Sequence, residues 1–565
     1  MFVREKKTTD KTVSMIQIVE NHRVGAKTKQ HVVRYVGVGR TPEKIEQLKR
    51  LAEVLKAQLE DQARSKQSKK TTPRFASTIG TLSVLPKKSL IDVSNLKETA
   101  RLTLGFHDVY GHLYDHFGFT NLFTRPRSRE DDAKILREIV LARIANPLSK
   151  RASVELLQEK FGVTLDLDHV YKMMDKIDDP FCERIQQRAL TETLKLTGEK
   201  LRVLFYDATT LYFESFSEDD LKRNGYSKDL KFNQPQVLLA LLVTQSGLPI
   251  GYELFPGNTF EGHTLIPVLE RLQERYQLDE VIFVADRGLF SDENLAHLEA
   301  RGFKYIVGAR IKNTSKKLQE EILNFDHYKT IGPIVKAGKK TKEVPVQKIA
   351  QFEQGEERKL IVHYSSDRAR KDEHDRREAI EKLYKKLAKS KDPKSLLSNY
   401  GYKKYLEIEG KAKIVMNQLK IENAAGWDGL VGVVTNMKET NPERLLSYYR
   451  GLWQIEESFR INKHDLRMRP IYHWKPHRVR AHIAISFIAF VCVRYLEYLL
   501  SIKERKLSPK QIRKSLSQVQ ASIIQDKGTG KTFLLPAEMS ADAKAIYRLI
   551  GIKTPAGITE IYCGA

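Results

Sequence analysis

Two apolar runs that each stop at an aspartate constrain the fold more than any other feature of the chain. Leu201-Arg202-Val203-Leu204-Phe205-Tyr206 leads into Asp207, and Val281-Ile282-Phe283-Val284-Ala285 leads into Asp286. Runs this short, rich in β-branched and aromatic residues, predict buried strands. Residues 235–244, 250–255 and 429–435 have the same character, and a helical pattern at 264–276 separates the first strands from the run before Asp286. The expected class is therefore α/β, with a mixed sheet. A carboxylate that closes an apolar strand is costly to bury unless it is paired or metal-bound. Capping the strand end is the plainer role open to each aspartate.

With 565 residues the chain is too long for one core. It carries 97 Lys and Arg against 71 Asp and Glu, a net charge of +26. An excess of that size calls for a polyanionic partner, and nucleic acid is the first choice. A membrane partner is not expected, because the start Met1-Phe2-Val3-Arg4-Glu5-Lys6-Lys7 has no apolar signal region and no run of ~20 apolar residues stands out. The apolar stretch 481–493 is closed by Arg494 and predicts a buried core helix. Cys182, Cys492 and Cys563 form no CxxC pair, which argues against structural zinc and a disulfide framework and fits a reducing, cytoplasmic setting. The histidines show no HExxH spacing, so any metal would be held by carboxylates.

Seven stretches follow from the pattern. Residues 1–63 read as a small N-terminal unit, with polar–apolar alternation at 12–37 predicting a β-hairpin and Thr41-Pro42-Glu43 opening a helix to about Leu59. Residues 64–95 read as a polar linker. Residues 96–197 are helical in pattern, and 153–162 with 168–174 suggest helix, turn, helix, which either reads a DNA major groove or packs as a bundle pair. Residues 198–309 and 426–500 form the two parts of the α/β core, split by a densely charged insertion at 310–425. The run 382–394 in it carries six lysines and suits either a solvated helix face or phosphate contact. Residues 501–565 read as helical.

Asn441-Pro442-Glu443 is a strong helix start, and the helix is expected to run past Lys463. Tyr449, Glu456 and Lys463 are seven apart, so at ~3.6 residues per turn they share one stripe, with Trp453 and Arg460 near it. A phenol, a carboxylate and two cations in a row suit a phosphate backbone better than a core. Glu456 would complete a set of three carboxylates with Asp207 and Asp286. Such a set can hold two divalent cations for an in-line phosphoryl displacement.

In this order and spacing, Tyr449, Glu456 and Lys463 resemble three of the four members of the tyrosine, arginine, glutamate, lysine signature of bacterial insertion-sequence transposases with a DDE active site. Tyr206-Asp207-Ala208-Thr209-Thr210 and Ala285-Asp286-Arg287-Gly288 are similar to that family's first- and second-acid patterns. The resemblance covers roughly residues 201–496. It implies a ribonuclease-H-like core whose third acid follows an inserted domain, with Asp207, Asp286 and Glu456 as catalytic metal ligands for Mg²⁺, for which Mn²⁺ can substitute. It further implies Tyr449, Arg450, Arg460, Lys463 and Arg287 as contacts to double-stranded DNA, binding of terminal inverted repeats, transfer of 3′ hydroxyl ends to target DNA, and a homodimer at synapsis.

One departure stands out: the signature's arginine position is Leu452, while Arg450 lies two residues earlier, ~200° around a helix. The family's inserted domain can carry an aromatic that receives a flipped base, and here only Trp427, at the end of the insertion, stands near that place, with a core role as its alternative. Gly528-Thr529-Gly530-Lys531-Thr532 imitates a phosphate-binding loop, but Gln525 stands where the first glycine is needed, so a polar turn and no ATP requirement are expected. A structure-selective ribonuclease-H-like endonuclease and an inactive DNA-binding regulator are the rival functions.

Overall fold

The computed structural model describes residues 1–7, 13–24, 27–68, 81–84, 93–124, 129–198, 202–214, 217–226, 233–276, 281–286, 288, 291–331, 346–355, 357–389, 405–409, 413–438 and 441–562. They divide into two compact units, Met1–Thr264 with Trp453–Ala565, and Leu265–Leu452.

The first unit begins with an antiparallel sheet of β1 (Phe2–Lys7), β2 (Ser14–Val24) and β3 (Lys27–Gly39), one strand more than the expected hairpin. Helix α1 (Pro42–Ser68) covers it with Leu48, Leu51, Ala52 and Leu55, spaced to share one face. The Oγ1 of Thr41 accepts from the Lys44 amide and caps the start as expected, but the helix runs past Leu59 through residues read as linker. Strands β4 (Thr81–Val84) and β5 (Leu96–Thr103) follow. The helical region is α2 (Gly105–His116), α3 (Arg129–Ala145), α4 (Lys150–Phe161), α5 (Leu167–Met174) and α6 (Asp179–Thr197). The expected helix, turn, helix is α4 and α5: Gly162 closes the first in the left-handed region (φ 67°), and Asp166 caps the second through the His169 amide. Strands β6 (Val203–Tyr212), β7 (Gln236–Thr244) and β8 (Pro249–Pro256) then form an antiparallel meander in which β7 is buried along its whole length.

The second unit holds α7 (Leu265–Tyr276), β9 (Ile282–Ala285), α8 (Asp292–Ala300), β10 (Lys304–Ala309), α9 (Lys316–Leu323), β11 (Lys329–Ile331), β12 (Gln347–Gln354) and β13 (Arg358–Ser365). It continues with α10 (Ser366–Lys389), β14 (Leu406–Glu409), β15 (Lys413–Met416), α11 (Gln418–Ala425), β16 (Leu430–Thr435) and α12 (Pro442–Arg450). Its strands run in the order β11-β12-β13-β16-β10-β9, and the last two are parallel. Residues 310–425 are thus not wholly apart from the core sheet: β12 and β13 extend it through β16, with Ile349 and Phe352 buried on β12 and Leu360, Ile361 and Val362 buried in a row on β13. The remainder gathers Leu383, Tyr405 and Leu406 into a small core of its own.

The first unit resumes with α13 (Trp453–Arg460), a π-helical turn (Ile461–Asp465), α14 (Pro476–Ile502), α15 (Pro509–Ser517), β17 (Gln520–Asp526), β18 (Thr532–Pro536), α16 (Ala541–Ile550) and β19 (Thr559–Tyr562). Residues 501–565 therefore carry three strands beside their helices, against expectation. They build the sheet β4-β19-β18-β17-β5, which also explains why Leu96–Thr103 is a strand and not a helix: its pairing partner is β17. Helix α14 is the core of the unit, packed against α2, α3, α6 and β8. By length and composition it is apolar enough to cross a membrane, longer than the sequence reading allowed, and 89% of its apolar window is buried inside the protein. Arg494 does not end it because its guanidinium donates to the Gly247 carbonyl (2.9 Å), Gln454 (3.1 Å) and Glu497 (2.6 Å). Gly528-Thr529-Gly530 is a tight β17–β18 turn held by Asp526, whose carboxylate accepts from the Gly528 amide and the Thr529 hydroxyl.

Candidate active site

Asp207 does not end its strand. The pairing of β6 with β7 continues through Asp207↔Leu241 to Tyr212↔Gln236, because Ala208, Thr209, Thr210 and Leu211 are themselves buried. The carboxylate is half-buried in mid-strand, and its Oδ1 accepts from the Ala208 amide at 2.7 Å. Helix α13 packs across β6 and β7 and brings Glu456 in its first turn, where the positive end of the helix dipole favours a carboxylate. Glu456 is exposed, and among the described residues it has no hydrogen bond or ion pair. In this unit, then, one acid is built into the sheet and another stands open on the helix above it.

Asp286 directly follows β9, as the sequence placed it, and is exposed, so the cost of burying a carboxylate does not arise here. It borders a cavity of about 1020 Å³ within the second unit, together with Tyr449, Arg310, Lys312, Arg368 and Trp427. The Lys312 ammonium lies 5.8 Å over the Trp427 ring, so this tryptophan is half-buried at a cavity wall and not in a closed core. The sequence gives no sign of this lining, in which Arg310, Lys312, Arg368 and Arg376 stand among Asp286, Asp372, Asp375 and Asp428: Arg310 and Lys312 follow the end of β10, at the start of the charged insertion. Arg287 lies outside the described residues.

The expected single helix from Asn441 past Lys463 is three segments. Asn441 caps α12 as predicted, its Oδ1 accepting from the Glu443 and Arg444 amides, but the helix stops at Gly451 and restarts at Trp453. Gly451 favours the break, since glycine is among the weakest helix formers. Tyr449, Glu456 and Lys463 are consequently not one continuous stripe: Tyr449 ends α12, Glu456 begins α13, and Lys463 lies in the π-helical turn with its ammonium 6.0 Å from the Phe459 ring. Leu452, at the signature's arginine position, is buried. Arg450 turns into the second unit and meets Gln347 (3.2 Å) and His363 (3.0 Å). Burial, reinforced by Arg450, pushes His363 down to about 4. Arg460 is engaged by Glu457 at 2.6 and 2.8 Å and by Asp465 at 3.2 Å.

Residues 198–492, more than half of the chain, match the transposase DDE domain. The chain belongs to the DDE transposases. Residues 3–68 of this transposase match the N-terminal domain of IS1634 family transposases, which places it among insertion-sequence enzymes. No curated protein matches it. Among solved structures it is similar to a piggyBac transposase synaptic complex with hairpin DNA, at 10% identity over 74% of this chain and 79% of that one, with a TM-score of 0.36. A Mos1 transposase paired-end complex with the left transposon end is similar at 18% identity, over 32% of this chain and 60% of that one, with a TM-score of 0.14.

DDE transposases use divalent metal ions. Among the described residues, no three His, Cys, Asp or Glu side chains lie close enough together to enclose one. The chemistry of the donors fits such an ion: the carboxylates of Asp207, Asp286 and Glu456 offer the hard oxygens that it prefers, and those of Asp286 and Glu456 stand open to solvent.

Proposed function

We propose that this transposase binds the terminal inverted repeats of its element, cleaves at the ends and joins the freed 3′ hydroxyls to target DNA, with Asp207, Asp286 and Glu456 as the metal-holding carboxylates. The open carboxylate of Glu456, on a helix packed over the strand of Asp207 inside a DDE domain, carries this reading. Mg²⁺ is the natural ion, with Mn²⁺ as substitute; when bound, it would activate the attacking oxygen and shield the leaving one. In the first step a water oxygen bonds to phosphorus and the 3′ oxygen leaves with a proton. In the second, that 3′ hydroxyl attacks a target phosphodiester, so one bond breaks for each formed. The core is read as ribonuclease-H-like, on the strength of an antiparallel meander (β6, β7, β8) followed by helix, strand, helix and parallel strand (α7, β9, α8, β10).

Tyr449, Glu456 and Lys463 are assigned to the family signature, with Tyr449 and Lys463 contacting backbone phosphates. Arg450 and Arg460 are weaker contacts, since each already has partners in the protein. Helices α2 to α6 are assigned to end binding. Two ends must be held together, which calls for a homodimer, and a cytoplasmic protein suits the cysteine usage. The test is incubation of the protein with a labelled duplex carrying the element's terminus and flank, in Mg²⁺ and in Mn²⁺, beside Asp207→Ala. Cutting at the end and joining to a plasmid, both lost in the variant, are expected. Cutting without joining would favour a nuclease instead.

A further inference from the structure

Helix α13, which carries Glu456, is eight residues long and has irregular backbone on both sides: the stop at Gly451 precedes it and the π-helical turn follows. It is also the first element of the first unit after the chain returns there at Trp453. A helix of two turns is not stable by itself, so its pose over β6 and β7 depends on what it touches. Ile455, Ser458 and Phe459 are its buried face. Apolar contact is non-directional, and it fixes which face a helix buries better than it fixes the height or roll of the helix. Among the described residues, most side-chain hydrogen bonds of α13 are local: the Ser458 hydroxyl donates to the Gln454 carbonyl (2.7 Å), and Arg460 engages Glu457 and Asp465.

The directional contact comes from Gln454, two residues before Glu456. Its Oε1 accepts from Nη2 of buried Arg494 on α14 (3.1 Å). The same guanidinium donates through Nε to the Gly247 carbonyl (2.9 Å) and through Nη1 to Glu497 (2.6 Å). One planar group therefore ties α13, α14 and the β7–β8 turn together, and the rigid fork of arginine sets the bond directions. The turn end is itself fixed: the Gly247 amide donates to the Thr244 carbonyl (2.8 Å), and the Leu248 amide to Thr244 Oγ1 (3.2 Å). Gly247 has φ 74°, and a Cβ there would stand 2.1 Å from Nη2 of Arg494 and 2.4 Å from Oε1 of Gln454. Only glycine allows this approach. Strand β7 pairs its Leu241 with Asp207, so the contact refers the Glu456 helix to the sheet that carries the first acid.

We propose that Arg494, acting through Gln454, is a positioning residue for Glu456: the Gly247–Arg494–Gln454 clamp sets the pose of the Glu456 carboxylate over the strand of Asp207, and with it the affinity of these acids for a divalent cation. The clamp rests on the reading of Glu456 as a metal-holding carboxylate. A ligand set of this kind must be held to within ~0.5 Å to work, which a two-turn helix on a greasy face does not achieve without a directional bond.

Truncating Arg494 would leave Glu497 without its partner and endanger the fold, so the variants are Gln454→Met, which keeps the length and loses the acceptor, and Gln454→Glu, which keeps both. Two measurements on the full chain read them: the Mn²⁺ concentration that half-saturates single-turnover cleavage of the end duplex, and hydrogen exchange of the α13 amides in EDTA. Gln454→Met should raise the half-saturating Mn²⁺ about tenfold or more, the range lost when a group that orients a metal ligand is removed, while cleavage at saturating Mn²⁺ stays within about threefold of wild type. Its α13 amides should exchange about tenfold faster, and Gln454→Glu should restore both values. An unchanged half-saturating concentration in Gln454→Met overturns the clamp, as does a loss that Gln454→Glu shares. A metal shift without faster exchange overturns it too, since Gln454 would then not act through the helix. Glu456→Gln is run beside them: if it cleaves like wild type, the ligand reading and the clamp fall together. If it is inactive while Gln454→Met matches wild type, the clamp alone falls.

Discussion

Glu456→Gln tests whether the open acid on α13 works on the substrate or only on the fold. The side chain is exposed, and among the described residues it has no partner, so its one visible contribution to stability is a negative charge in the first turn of a helix. That effect is worth about 0.3–1 kcal/mol, so the variant should lose about 0.5 kcal/mol, a shift of ~1 °C in the unfolding midpoint. Its chemistry should suffer far more. A lost metal ligand forfeits on the order of 4 kcal/mol of transition-state stabilisation, which lowers cleavage by about 10³. Single-turnover cleavage of an end-labelled duplex in Mg²⁺, with a gel shift for end binding and urea unfolding for stability, reads all three. Cleavage within about tenfold of wild type would refute Glu456 as a ligand. A loss of several kcal/mol in stability would show the carboxylate to be structural after all.

Three further outcomes follow from buried or paired groups. His363 is held neutral, well below its unfolded value, so stability should fall as the pH drops from about 6.5 towards 4, by up to about 3 kcal/mol; His363→Gln should flatten that slope in urea unfolding at stepped pH. Leu452→Arg, which restores the signature residue, should cost about 3 kcal/mol or more because the site is buried, and should not raise cleavage; a stable, faster variant would contradict this. The Arg478 hydrogen bond, followed by that of His477, holds Asp175 down at about 2. Discounted for its partial exposure, the pair is worth about 1 kcal/mol above pH ~4 and is lost as the pH falls through 2, so Asp175→Asn should lower stability by that much at neutral pH, measured by urea unfolding.

Local signals made some of this molecule legible and left other parts dark. The apolar runs before Asp207 and Asp286 are β6 and β9, and Asn441-Pro442 caps α12, because burial and capping act within a few residues. Asp207 reads as a strand end because a carboxylate inside a strand breaks the apolar run, although the burial resumes immediately at Ala208. Strand β5 was unreadable for a different reason: Lys97, Glu98 and Thr99 are exposed, and what fixes them is a partner strand more than four hundred residues further on. The stop at Gly451 was hidden by the seven-residue spacing of Tyr449, Glu456 and Lys463, which suits one long helix equally well.

The order in which the ribosome delivers these elements has a consequence of its own. Helices α2, α3 and α6 emerge early, yet the helix they pack around, α14, lies at Pro476–Ile502, and β5 waits for β17. At ~5–20 residues per second, the stretch between Thr197 and Pro476 takes on the order of tens of seconds to synthesise. Throughout that interval the apolar faces of the early helices lack their central partner, while the second unit, continuous from Leu265 to Leu452, can close on itself. A message truncated between Asp286 and α14 therefore yields a protein whose acids at 207 and 286 are both present but whose first unit lacks its central helix, so prematurely ended copies of the gene produce chains for proteolysis and not weak enzymes.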